Sequence, residues 1–109
     1  MEKITMKKGI LRKVDEAIHI MKPIIEQRMP YRKWNMHVNL FWDNSFSVLF
    51  EYKENLSEKN GNKTINHYEL CNQFCFSDTN PDKIQYSLIR FTDKNSDVLK
   101  KEEIPLKKI

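Results

Sequence analysis

Between Met36 and Tyr52 the chain alternates apolar and polar positions in two runs. Met36, Val38, Leu40 and Trp42 hold every second place in the first, and Phe46, Val48, Phe50 and Tyr52 do so in the second. A period of two is the period of a strand. Asp43-Asn44-Ser45 between the runs is turn-forming, so the stretch predicts an antiparallel hairpin over about 35–53. Loop length decides which side chains meet. A two-residue loop at Asp43-Asn44 would put the two apolar sets on opposite faces. A three-residue loop at Asp43-Asn44-Ser45 pairs Trp42 with Phe46, Leu40 with Val48, Val38 with Phe50 and Met36 with Tyr52. Burial of a single face specifies register, so the three-residue loop is the expectation. The other face then carries His37, Asn39 and Phe41 against Glu51, Leu49 and Ser47, with Phe41 and Leu49 as diagonal neighbours.

The period changes upstream. Ile10, Leu11, Val14, Ala17, Ile18, Met21, Ile24 and Ile25 recur at the spacing of one helical face, which predicts an amphipathic helix over about 8–29. Pro23 removes a backbone hydrogen bond and crowds the preceding turn. The apolar face stays in phase across it, so a kink is expected rather than two helices. Residues 54–63 read as a polar loop with a turn signal at Asn60-Gly61. Tyr68, Leu70, Phe74 and Phe76 favour a strand over about 64–76, with Asn72 interrupting the apolar row, while Ile65, Tyr68, Cys71 and Cys75 fit a helix less completely. Turn residues at 78–82 and 93–97 bracket a strand over about 83–92, and 98–104 forms a last edge strand or a short helix. The fold class is therefore α+β: an N-terminal, Pro-kinked amphipathic helix on one antiparallel sheet of four to five strands in a meander. At 109 residues the chain is expected to make a single domain spanning 1–109.

Composition narrows the possible functions. The formal charge of +4 is unevenly spread: residues 1–34 hold nine Lys/Arg against four Asp/Glu, residues 35–81 three against six, and residues 82–109 seven against five. The basic ends suit an anionic partner only weakly, because Lys outnumbers Arg and Arg is the usual bidentate reader of phosphate and guanine. No apolar run approaches a membrane span. The first residues lack a secretory apolar core, so a cytoplasmic protein is expected, with both cysteines reduced. For the same reason Asn55-Leu56-Ser57 and Asn62-Lys63-Thr64 are read as chance matches to the glycosylation pattern. Abundant Lys, Asn and Ile point to an AT-rich coding sequence, as in low-GC bacteria, their phages or plasmids.

No catalytic signature is present. His67, Cys71 and Cys75 are four apart and could offer a metal three ligands on a helix. On a strand they spread over roughly 26 Å, and the strand reading is preferred. His37 facing Glu51 would resemble a base–carboxylate pair, yet no nucleophile can be placed with it. With two glycines in all, no phosphate-cradling loop exists. The expectation is a non-catalytic protein without cofactor or metal that docks on another protein, as small inhibitors, immunity or antitoxin-type proteins and adaptors do. Its candidate surface is the outer hairpin face, His37, Asn39, Phe41, Ser47, Leu49 and Glu51. The alternative is a nucleic-acid-binding accessory protein using Lys7, Lys8, Arg12 and Lys13 at the helix start and Arg32 and Lys33 past its end, with Tyr31 and Trp34 nearby. On the plainer expectation these two aromatics anchor the entrance to the first strand. An unpaired sheet edge could also join two copies of the chain.

Overall fold

A computed structural model describes the backbone of residues 2–106; the side chains of residues 1–8, 64–66 and 107–109 lie outside the described set. Helix α1 spans Glu2–Arg28. The strands are β1 Asn35–Leu40, β2 Phe46–Asn60, β3 Lys63–Ser77, β4 Lys83–Phe91 and β5 Ser96–Pro105. They form one antiparallel sheet in the order β1-β2-β3-β4-β5. This is the α+β meander that the two periodicities predict. Among the described residues no helix is long and apolar enough to cross a membrane.

The core lies between α1 and one face of the sheet. Val14, Ala17, Met21 and Ile25 are buried on the helix, recurring at three and four residues as one helical stripe must. They pack on Phe46, Val48 and Phe50 of β2, Phe74 and Phe76 of β3, and Ile84, Tyr86 and Ile104 beyond. The helix runs on through Pro23, and Met21 and Ile25 on either side of it are both buried, so the stripe is unbroken. Arg28 in the last turn forms a bidentate ion pair with Glu102 of β5, which ties the helix end to the far side of the sheet. The helix starts earlier than the apolar pattern indicates, at Glu2 rather than about 8.

Two expectations need correcting. The β1–β2 loop is three residues long, but it is Trp42-Asp43-Asn44: Phe41 N–H donates to the Ser45 carbonyl at 2.9 Å, and Leu40 pairs with Phe46, Val38 with Val48 and Met36 with Phe50. Turn chemistry sets this. Asn44 adopts a left-handed φ of 67°, which Asn tolerates at the last position of such a loop. The Asp43 carboxylate accepts hydrogen bonds from the Ser45 N–H and hydroxyl. The register is thus two residues away from the predicted one, and because two is the pleat period the same side chains keep the inner face.

The second correction concerns residues 54–63. They are not a polar loop: β2 continues to Asn60, Asn60 pairs with Lys63, and Gly61 at φ 63° opens the two-residue turn. Pairing between β3 and β4 reaches Glu69 and Phe91, so Leu56–Asn60 and Lys63–Tyr68 extend past it as a two-stranded arm, and the molecule measures 61 × 33 × 22 Å. Such an arm has no covering layer and no need of apolar alternation, so its sequence reads as a loop.

Candidate functional site

Strand β1 is an edge, and all six of its residues are exposed. The predicted hairpin core was to include Met36, Val38 and Leu40. They do lie on the same face as Phe46, Val48 and Phe50, yet each remains a third to a half exposed. A helix is about 10 Å wide and neighbouring strands are about 4.8 Å apart. An α1 centred over β2 and β3 therefore leaves the outermost strand uncovered. Phe41 and Trp42 continue the exposed apolar series into the turn, and Trp42 is fully exposed at 104%.

The backbone of this edge is equally open. Hydrogen-bonded pairs alternate along an antiparallel ladder. With Phe41 bonded to Ser45, Asn39, His37 and Asn35 also direct their amides to β2. Met36, Val38 and Leu40 then direct theirs away from the sheet. Natural edges are usually blunted by charge, proline, a bulge or a covering element. The opposite edge, β5, carries Lys100, Lys101, Glu102, Glu103 and Pro105, and its pairing with β4 is interrupted between Leu88 and Ile89. From Trp34 to Trp42 β1 and its flanks carry no charge and no proline, and the β1–β2 register is unbroken.

A groove of about 540 Å³ opens where β1 begins. Pro23 and Ile25 of the helix, Trp34 and Phe50 give it an apolar lining, and His19, Lys22 and Glu26 stand at its rim. Trp34 is fixed by ring contacts to Tyr52 at 5.7 Å and Phe74 at 5.4 Å. Its indole N–H is shielded from solvent and has no acceptor among the described residues. Trp34 therefore anchors the strand entrance. Tyr31 does not: it is 93% exposed, with a left-handed φ of 63°.

The structure disperses the predicted outer-face patch. His37 stands opposite Leu49, not Glu51, and Glu51 stands opposite Asn35. Asn39 donates to the Ser47 hydroxyl at 3.3 Å. Phe41 and Leu49 are four pairs apart, roughly 13 Å, and are not diagonal neighbours. The register shift accounts for all three changes. Glu51 instead belongs to a polar cluster in the middle of the outer face. It accepts from the Gln73 amide at 3.0 Å and pairs with Lys53 at 3.4 Å. Partial burial works against its charge, but the Gln73 hydrogen bond and the Lys53 ammonium hold its pKa below the ordinary value.

Cys71 and Cys75 lie on this outer face of β3. Burial, and then the Glu51 charge, pushes the Cys71 thiol up to about 11; burial raises Cys75 as well. Thiols so shifted are poor nucleophiles. His67 bonds to the Ser57 hydroxyl at 3.0 Å. As a strand, β3 spreads His67, Cys71 and Cys75 along its length, and the described residues contain no group of metal-binding side chains.

The basic residues are also separated. Arg12 and Lys13 belong to the first half of α1, while Arg32 and Lys33 follow its end at Arg28, which is about 24 Å from Arg12 along the helix axis. Arg32 lies over the Tyr52 ring at 5.5 Å, and Arg28 is held by Glu102. The side chains of Lys7 and Lys8 fall outside the described residues.

Sequence reasoning assigned Met36, Val38 and Leu40 to the core because alternation identifies a face but not whether anything covers it. The signal that could have identified the edge is the absence of charge in 34–42 beside the charged 97–103. No protein-family model, no curated protein and no solved structure matches the chain.

Proposed function

We propose that this protein is a non-catalytic binding module that captures another polypeptide along the β1 edge. The observation that carries the reading is the contrast between the two edges: β5 is charged and interrupted, whereas β1 is uncharged and regular, all six of its residues are exposed, and the amides of Met36, Val38 and Leu40 are directed outward. A strand added there gains main-chain hydrogen bonds, and its alternate side chains lie beside Met36, Val38 and Leu40, which is the β-augmentation mode of recognition. Small inhibitors, immunity or antitoxin-type proteins and adaptors act by such docking, and a place among them is the finer part of the proposal.

Photocrosslinking in the cells that make the chain tests it. Benzoyl-phenylalanine replaces His37 on β1 and, separately, Leu99 on β5. Discrete protein adducts from position 37, absent from position 99, are expected. A folded protein that gives no protein adduct from positions 37, 39 or 41 would remove the reading. The adduct's mass identifies the captured chain, whether a second copy or another protein.

A further inference from the structure

The β1 edge and the groove at its start are complementary to each other, and this defines an occupant. We infer that the chain pairs with a second copy of itself across an antiparallel, two-fold β1–β1 contact, in which Trp42 of each copy fills the groove beside Trp34 of the other. The inference rests on the β1 edge being the docking surface and adds the identity of what docks.

Three observations support it. The first is the sequence of the strand. With Val38 opposite itself, Met36 faces Leu40 of the other copy on the inner face, and His37 faces Asn39 on the outer face. Apolar meets apolar, neutral polar meets neutral polar, and no like charges are opposed. Met36, Val38 and Leu40 are the residues whose amides point outward, so this register satisfies them with six inter-chain hydrogen bonds, two for each hydrogen-bonded pair. The same operation centred on Lys100 or on Lys101 of β5 would set that lysine against its own copy and is repulsive.

The second is the fit of knob to hole. In this register chain positions 42 and 34 come level. A fully exposed tryptophan thereby reaches the mouth of a 540 Å³ apolar groove bounded by Pro23, Trp34 and Phe50. That volume lies in the range of pockets that enclose small organic ligands, so an indole fits. Trp42 cannot fill the groove of its own chain, because the length of β1 lies between it and Trp34, six strand residues or roughly 20 Å. The third is closure. One two-fold axis makes both knob-and-hole contacts at once, so the assembly is isologous and ends at two copies.

Sedimentation equilibrium of the full chain between about 1 μM and about 1 mM, the range over which weak dimers form, reads the outcome. The mass is expected to rise from 13.2 kDa to twice that value. Trp42→Ser removes the aromatic anchor from both knob-and-hole contacts and should weaken association more than about 100-fold. Val38→Lys should also give monomers, because it sets two charges against each other at the axis. Leu99→Lys on β5 should change nothing. Circular dichroism confirms that each variant is folded; all three sites are exposed. Monomers at every concentration would overturn the inference, as would a dimer that survives both Trp42→Ser and Val38→Lys. A foreign adduct from His37 together with a monomeric chain would reject self-pairing and retain the β1 docking edge. The absence of any adduct would reject both.

Discussion

Among the described residues Asn72 is the only polar side chain in the buried class, and its carbonyl oxygen accepts a hydrogen bond from the Tyr86 hydroxyl at 2.6 Å. The sequence showed Asn72 only as a break in an apolar row, because its partner lies on the neighbouring strand. Tyr86→Phe leaves the buried Asn72 carbonyl without its donor and should cost about 1–3 kcal/mol. The double variant Asn72→Leu/Tyr86→Phe should cost less than the sum of the single changes; additive urea midpoints would show that the pair is uncoupled. The cysteines supply a second prediction. With Cys71 buried and its thiol pushed up to about 11, iodoacetamide at pH 8 should label the native protein slowly, Cys75 before Cys71. Urea should make both fast, and rapid native labelling of Cys71 would contradict the burial. Carboxylates set the acid limit. The hydrogen bond from Arg28 holds the Glu102 pKa below its ordinary value, and Glu51 is lowered too. A depressed folded-state pKa contributes stability above the unfolded value and loses it as pH falls through the folded value. Urea midpoints should therefore be flat near neutrality and decline below about pH 4.5, less steeply in Glu102→Gln.

Elements show why some of the fold was legible and some was not. The α1 stripe and the β2 alternation were clear because each has one face on a shared core. Met21, fully buried on that stripe, makes the point quantitatively: Met21→Ala should destabilise by about 2–5 kcal/mol in a urea titration, and a cost below about 1 kcal/mol would mean that the helix does not cover the sheet as described. Residues 54–63 were read as a loop because the described side chains of the arm beyond Leu56 and Tyr68 are exposed and carry no apolar alternation. The β1–β2 register was displaced by two because the preference of Asn44 for a left-handed conformation outweighed the extra apolar pair, Trp42 with Phe46, that the longer register offered. A shift by the pleat period leaves the inner face intact and alters only which residues stand opposite each other. That was enough to separate His37 from Glu51 and Phe41 from Leu49, and with them the predicted patch.

At the scale of the molecule the two sheet edges differ, and the account of function rests on that difference. Charge and proline along β5 discourage pairing; β1 presents outward amides, a row of half-exposed apolar side chains, an exposed tryptophan and an apolar groove. The candidate site was partly legible, since His37, Asn39 and Phe41 belong to β1 or adjoin it, but the sequence pointed to the outer face where the structure points to the edge. The most direct measurement is amide hydrogen exchange by NMR at low and high protein concentration. The amides of Met36, Val38 and Leu40 should exchange freely in dilute solution and become protected as the protein is concentrated, while those of Asn35, His37 and Asn39, bonded to β2, should be protected throughout. If Met36, Val38 and Leu40 exchange freely at every concentration, β1 does not pair with a second copy, and the self-association proposed here is wrong.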